Sequence, residues 1–312
     1  MDVLAMLIDS QGFFTRAQAL DLGLEGSFLT SGVRRRELVR IRRGYYTIAP
    51  VWGSLTDEGR HLVRLRCVLH SMGPDVVASH VSGALLHGMS IWGVDLTRVH
   101  VTRLDGGAGR IEPDVVHHLG HVRGHDLREV DGLRVLAPDR CALETGTMAS
   151  AESALVVLDS CLHLALSTPE DLFRRFTSME RWPGKQRLHI PVRMADGLAA
   201  SVGESRGRWM LRRAGIPAPV LQYAVVCDGV VVGTTDWAWP EAGLLGEFDG
   251  RVKYGRLLLP GQQPGEVVFA EKLREDRLRE ITGFRMVRLT WSDLDRPQVT
   301  AERVRRLLRR GA

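Results

Sequence analysis

The stretch Gln222–Trp239, QYAVVCDGVVVGTTDWAW, reads as two strands joined by one turn. Asp228-Gly229 is a pair that tight two-residue hairpins favour, because both turn positions need positive φ. The flanks Gln222–Cys227 and Val230–Trp239 are rich in valine, threonine and aromatic residues, which suit a pleated surface. Working outward, Pro240-Glu241-Ala242-Gly243 is a second turn and Leu244–Phe248 a third strand. Upstream, Ser201-Val202-Gly203-Glu204 opens a helix that stops at Gly215-Ile216-Pro217. Downstream, a long helix is predicted over roughly Gly265–Thr282, with Gly283 as its stop, followed by a strand Phe284–Thr290. The order is helix, three-strand meander, helix, strand: an αβββαβ core.

The second turn sets a register. Centred on Glu241-Ala242, it opposes Asp236 to Glu247 and Thr234 to Asp249. Asp249 lies two residues beyond Glu247 and so shares its face. Like charges facing each other across strands are destabilising, so this face calls for a cation. Mg²⁺ or Mn²⁺ suits carboxylate oxygens and could activate water against a phosphodiester. The alternative is that these acids are solvated or paired with nearby arginines. Glu204 also has two readings, since Ser201-x-x-Glu204 is a capping box as well as a candidate acidic site.

At the other end, helices are predicted over Val3–Ser10, over Arg16–Leu22 with Thr15 as its cap, and from Ser27 toward Arg36. Leu38–Ile48 then reads as two short strands around Arg42-Arg43-Gly44. Three helices and a hairpin make the winged helix-turn-helix order. Arg34, Arg35, Arg36, Arg40, Arg42 and Arg43 crowd the third helix and the wing, as phosphate contacts require. The plain alternative is a solvated arginine-rich surface.

The 312 residues suggest two or three domains. The divisions expected are 1–50, a winged helix-turn-helix domain; 51–195, a mixed α/β middle domain; and 196–312, the αβββαβ domain. Net charge is +5, but only three of the 42 cationic residues are lysine, which leaves 39 arginines. So uniform a preference for arginine has the look of codon bias, and the placement of charge is more telling than its sum. Four scattered cysteines without a CxxC pair argue against a zinc ribbon and fit a reducing cytoplasm. No run approaches the roughly 18 apolar residues of a membrane span. In the middle region, Val77–Gly88 reads as a capped helix in which His80 and His87 are structural. His117, His118, His121 and His125 fall on strand and loop around Gly120 and Gly124, with no cysteine or carboxylate to complete a metal set.

Two resemblances add to this. Gly12-Phe13-Phe14-Thr15-Arg16-Ala17-Gln18-Ala19, Gly23-Leu24 and Leu38–Tyr46 resemble the winged-helix domain of AbiEi-type antitoxins. That implies DNA binding through the third helix and wing but not that this chain neutralises a toxin; a homodimer or a cognate toxin is the protein partner to consider. Val77–Gly88 and Ala137–Glu144 are similar to segments of longer AbiEi-like proteins. Glu204, Gln222, Thr235–Glu241, Gly246–Gly250, Asp276 and Arg288–Trp291 resemble the very-short-patch-repair-like branch of PD-(D/E)XK nucleases. This second resemblance implies a restriction-endonuclease-like α/β fold. It also implies a Mg²⁺- or Mn²⁺-dependent endonuclease with Asp236, Glu247 and Asp249 on the metal. Glu204 and Gln222 would be further site residues, and Lys253 would supply positive charge. Related sequences often carry histidine soon after the Asp-Gly, where this chain has Arg251-Val252-Lys253-Tyr254-Gly255. The leading expectation is a DNA-binding metal-dependent endonuclease; the alternative is a DNA-binding regulator or antitoxin-like protein that keeps the nuclease fold as a scaffold.

Overall fold

The computed structural model describes residue 8, residues 11–250 and residues 264–309, the side chains of 264–272 excepted. The predicted helix Val3–Ser10, apart from Ile8, and the candidate Lys253 lie outside the described residues. The chain divides into two units, residues 1–150 with 170–188, and residues 151–169 with 189–312.

The first unit begins with β1 (Phe14–Thr15), α1 (Arg16–Asp21), α2 (Gly26–Arg34), β2 (Leu38–Arg42) and β3 (Tyr45–Ile48). Thr15 caps α1 as its sequence predicts. Its Oγ1 accepts from the Gln18 amide at 3.2 Å, and the Gln18 side chain accepts from the Thr15 amide at 2.7 Å. The predicted cap of α2 differs. Glu25, not Ser27, is the cap residue, and the Ser27 hydroxyl donates instead to the Glu25 carboxylate. The wing is an antiparallel pair, Leu38 opposite Ile48 and Arg40 opposite Tyr46, with a register shift at Ile41. Gly44 takes the positive φ that closes the turn. Ile8, Phe14, Ala19, Leu29 and Leu38 form the core beneath.

The same unit continues with α3 (Asp57–Met72), β4 (Val76–Ala78), α4 (His80–Leu86), β5 (Val99–Arg103), β6 (Arg110–Ile111), β7 (Val115–His118), β8 (Leu127–Val130), β9 (Leu133–Leu136) and α5 (Pro138–Met148). The strands form one sheet in the order β6-β7-β5-β4-β9-β8, with β4 parallel to β9 and β5 parallel to β7. Val77 and Ala78 therefore belong to a strand, and the helix predicted there begins only at His80. The β-branched Val76 and Val77 favour the pleated state.

The second unit opens with α6 (Ala151–His163), whose residues Ser153–Leu162 are all buried. After α7 (Pro169–Ser178), which belongs mostly to the first unit, come α8 (Val202–Arg213), β10 (Val220–Cys227), β11 (Val230–Trp239), β12 (Leu244–Asp249), α9 (Pro264–Thr282), β13 (Arg285–Thr290) and α10 (Pro297–Arg309). The sheet order is β10-β11-β12-β13, antiparallel except for the parallel pair β12–β13. Trp237 opposes Gly246, Ala238 opposes Leu245 and Trp239 opposes Leu244, the register that a turn at Glu241-Ala242 dictates. Trp237, Trp239, Leu244, Val287 and Leu289 form a core with Met210 and Leu211 of α8 and Ala301 and Val304 of α10. Ala238 and Leu245, with Val225, pack with Leu278 of α9. The alternation of strand residues thus commits each side of the sheet to different helices. α8 comes close because of its glycines: a Cβ at Gly203 would clash with the edge of the Phe248 ring, and one at Gly207 would lie 2.5 Å from the Trp237 ring.

Candidate nucleic-acid interface and a carboxylate cluster

On α2, Ser27, Thr30 and Arg34 are exposed, spaced three and four residues apart on one helical face. Small hydroxyl side chains with one guanidinium can approach a phosphate or a base edge closely. Arg34, Arg36, Arg40 and Arg43 are exposed, and no carboxylate partner appears for them among the described residues. Arg36 takes positive φ at the turn after α2. The two other sequence candidates are engaged. Arg35 pairs with Glu37 at 2.9 Å. Arg42 reaches Asp114 at 3.6 Å and donates to the Ser71 hydroxyl at 3.1 Å. Arg42 therefore joins the wing to the rest of the first unit, while Arg34, Arg36, Arg40 and Arg43 keep their charge toward solvent.

Three histidines form a stacked group in which His80 is buried and His100 and His118 are partly buried. The His118 ring stacks on His80 at 3.6 Å between centroids and is hydrogen-bonded to His100 at 2.8 Å. Burial pushes His80, His100 and His118 down to about 3, so all three are neutral. His80 Nδ1 lies 3.2 Å from the buried Glu144 carboxylate. His117 is buried on β7, and His121 and His125 are exposed in the following loop. His87 is hydrogen-bonded to the Leu136 carbonyl at 2.8 Å. Sequence patterning could not have found this cluster, because His80, His100 and His118 meet only through the pairing of β5 with β7 and the placement of α4.

In the second unit, Gln222 and Asp236 lie near Glu204 at the start of α8, while Glu247 and Asp249 meet arginines of α9 and β13. Glu204 caps its helix: the Ser201 hydroxyl accepts from the Glu204 amide at 3.2 Å, and the Glu204 carboxylate accepts from Ser201 Oγ and the Ala200 amide. The Gln222 side-chain amide donates to the same carboxylate at 3.3 Å. One Asp236 oxygen accepts from the Phe248 amide at 2.7 Å, replacing a rung of the β11–β12 ladder. Burial pushes the Asp236 carboxyl up to about 6. The Phe248 amide and Arg274 oppose that rise, and the Glu204 and Glu247 carboxylates add to it.

Arginines stand where the sequence leads one to expect a metal ion. Arg274 Nη2 donates to Glu247 at 2.6 Å, and Arg288 approaches Glu247 at 3.4 Å, Asp249 at 3.8 Å and Glu275 at 2.8 Å. Both Glu247 oxygens are thus occupied, and the Glu247 side chain is only 8% exposed. Among the described residues, no three His, Cys, Asp or Glu side chains are grouped to hold an ion. As placed, Asp236, Glu247 and Asp249 do not form a Mg²⁺ or Mn²⁺ cradle.

Among the described residues, no helix is long and apolar enough to cross a membrane. Two uncharacterized proteins of Mycobacterium tuberculosis, one from each of two strains, are 27% identical to the chain over 279 residues, covering 89% of it and 95% of each relative. Residues 2–49, the segment that carries α1, α2 and the wing, match the family described as "Transcriptional regulator, AbiEi antitoxin".

Proposed function

We propose that this chain is a DNA-binding transcriptional regulator that reads duplex DNA with α2 and the wing. The observation that carries the reading is the free cationic face of Arg34, Arg36, Arg40 and Arg43 in the segment that matches a regulator family. Exposed guanidiniums release counterions from DNA when they meet phosphates, so binding falls steeply with salt. Anisotropy titrations of the full chain on labelled duplex, at a series of salt concentrations, test this. Changing Arg34, Arg36, Arg40 and Arg43 to Gln should flatten the logarithmic salt slope by about 0.9 for each phosphate that is no longer neutralised. Arg35→Gln should have little effect, because Arg35 is already paired. An unchanged slope in the fourfold variant would sink the reading. A cognate toxin or a second copy as protein partner belongs to the same proposal.

A second reading is favoured by one feature, the convergence of Glu204, Asp236 and Glu247 on an αβββαβ core. It is the very-short-patch-repair-like, PD-(D/E)XK reading: a Mg²⁺- or Mn²⁺-dependent endonuclease using Asp236, Glu247 and Asp249. It requires Arg274 and Arg288 to release Glu247 before an ion can bind, so the scaffold role comes first. Incubation with linear, nicked and single-stranded DNA and with RNA, each with Mg²⁺ or Mn²⁺, separates the two. A nuclease should also melt higher with Mn²⁺, and Asp236→Asn should not. No cleavage together with no Mn²⁺-dependent shift leaves the scaffold alone.

A further inference from the structure

The first unit holds a cleft of about 750 Å³ between the β7–β8 connection, α5 and the segment after α7. At its floor lies Arg140, which is 3% exposed. Its three hydrogen bonds go to residues that also line the cleft. Nε donates to Glu144 at 2.8 Å, and Nη1 donates to the His121 carbonyl and to Asp126, both at 3.0 Å. Nη2 is buried and has no acceptor among the described residues. Buried guanidinium donors are nearly always satisfied, so an unanswered one facing a cleft needs an explanation.

Gly120 supplies part of it. A Cβ at this position would lie 3.0 Å from Arg140 Nη2, so the glycine keeps a side chain off that nitrogen. Gly120 itself lines the cleft. On the other side the guanidinium is 5.3 Å from the centre of the Trp182 ring, which also lines the cleft and is only partly buried. The rim is cationic. Arg181 and Arg187 are exposed there and have no carboxylate partner among the described residues. The two lining carboxylates are committed elsewhere: Glu144 to Arg140, and Asp126 to Arg140 and Arg175. Five lining arginines against these two acids leave the cleft an excess of three guanidinium charges.

We propose that this cleft is a binding site for a small organic phosphate that carries a planar ring, a nucleoside monophosphate being the class it fits. Arg140 Nη2 meets a phosphate oxygen in the space that Gly120 leaves open. Arg181 and Arg187 neutralise the remaining charge, and Trp182 offers a face to the ring. Guanidinium groups match phosphate oxygens in geometry and stay charged at every working pH. The volume lies in the range of small-molecule sites. The proposal goes beyond the regulator reading and does not depend on it, since the ligand is measured without DNA.

Calorimetric titration of the full chain with AMP, GMP, CMP and UMP, and with inorganic phosphate and adenosine as partial probes, tests it. At least one nucleotide should bind with Kd below about 1 mM, and the two partial probes should bind at least about tenfold more weakly. Gly120→Ala should weaken nucleotide binding by about tenfold or more without lowering the melting temperature, because it caps Nη2 and leaves the buried ion pairs intact. The Arg181→Ala/Arg187→Ala double variant keeps the test valid if Gly120→Ala does not fold, and should show a similar loss. Absence of nucleotide binding overturns the proposal. So does inorganic phosphate binding as tightly as the nucleotide, or binding unaffected by whichever variants fold. If no small anion binds and the double variant instead loses duplex DNA, the rim belongs to a nucleic-acid surface, and the proposal falls.

Discussion

Replacing Asp236 with Asn should make this protein more stable at neutral pH. Most buried carboxylates would give the opposite result, and the difference comes from the neighbours. One Asp236 oxygen accepts the Phe248 amide, a bond that the Asn carbonyl can keep. Burial and the Glu204 and Glu247 carboxylates disfavour charge and together outweigh the pull of Arg274. A carboxyl held at about 6 in the fold, against an ordinary value of 3.8, opposes folding whenever it is ionised in both states. The full difference corresponds to about 3 kcal/mol, and partial solvent access reduces the expectation to about 1–2 kcal/mol. The sign follows from proton uptake. Between the two pKa values the folded state binds the proton more tightly, so the penalty is complete above about pH 6 and fades as pH falls toward 4. Thermal melts of wild type and Asp236→Asn in chelator should therefore differ by a few degrees at pH 7.5, with the variant higher. The gap should close near pH 4. A variant that melts lower at pH 7.5, or a gap independent of pH, would refute the reasoning and mean that Asp236 is paired in solution with a cation such as Arg274.

Two other expectations concern the same unit. Arg288 serves Glu247, Asp249 and Glu275 together, so Arg288→Met should cost about 2 kcal/mol in urea unfolding, by leaving the buried Glu247 with Arg274 alone; a change near zero would mean that Arg274 suffices. Gly203→Ala should destabilise by about 1–3 kcal/mol, because its Cβ has no room beside Phe248, whereas Gly53→Ala, with open space around it, should be neutral or slightly stabilising; equal effects of the two would show that α8 can shift away from the sheet.

The sequence by itself determined those features whose causes are local. Asp228-Gly229 fixed the first hairpin as far as Val226, beyond which a bulge shifts the register by one residue, and the Glu241-Ala242 turn fixed the register of the second, because turn chemistry and strand alternation act over a few residues. Thr15 and Gln18 fixed the start of α1 in the same way. The capping function of Glu204 was legible too, at a spacing of three residues. What the tertiary structure alone decided are the partners of charged groups far apart in the chain. Arg42 looks like a wing arginine until Asp114 is found beside it, and Glu247 looks like a metal ligand until Arg274 and Arg288 take both its oxygens. The six-stranded sheet was equally hidden, since its short strands and parallel pairs draw their stability from distant segments rather than from their own patterns. Arg140 and Gly120 show the same limit, because a backbone gap matters only once folding has set a buried guanidinium behind it. Periodicity records which side of an element is apolar, but the pairing of charges depends on distances that only packing creates.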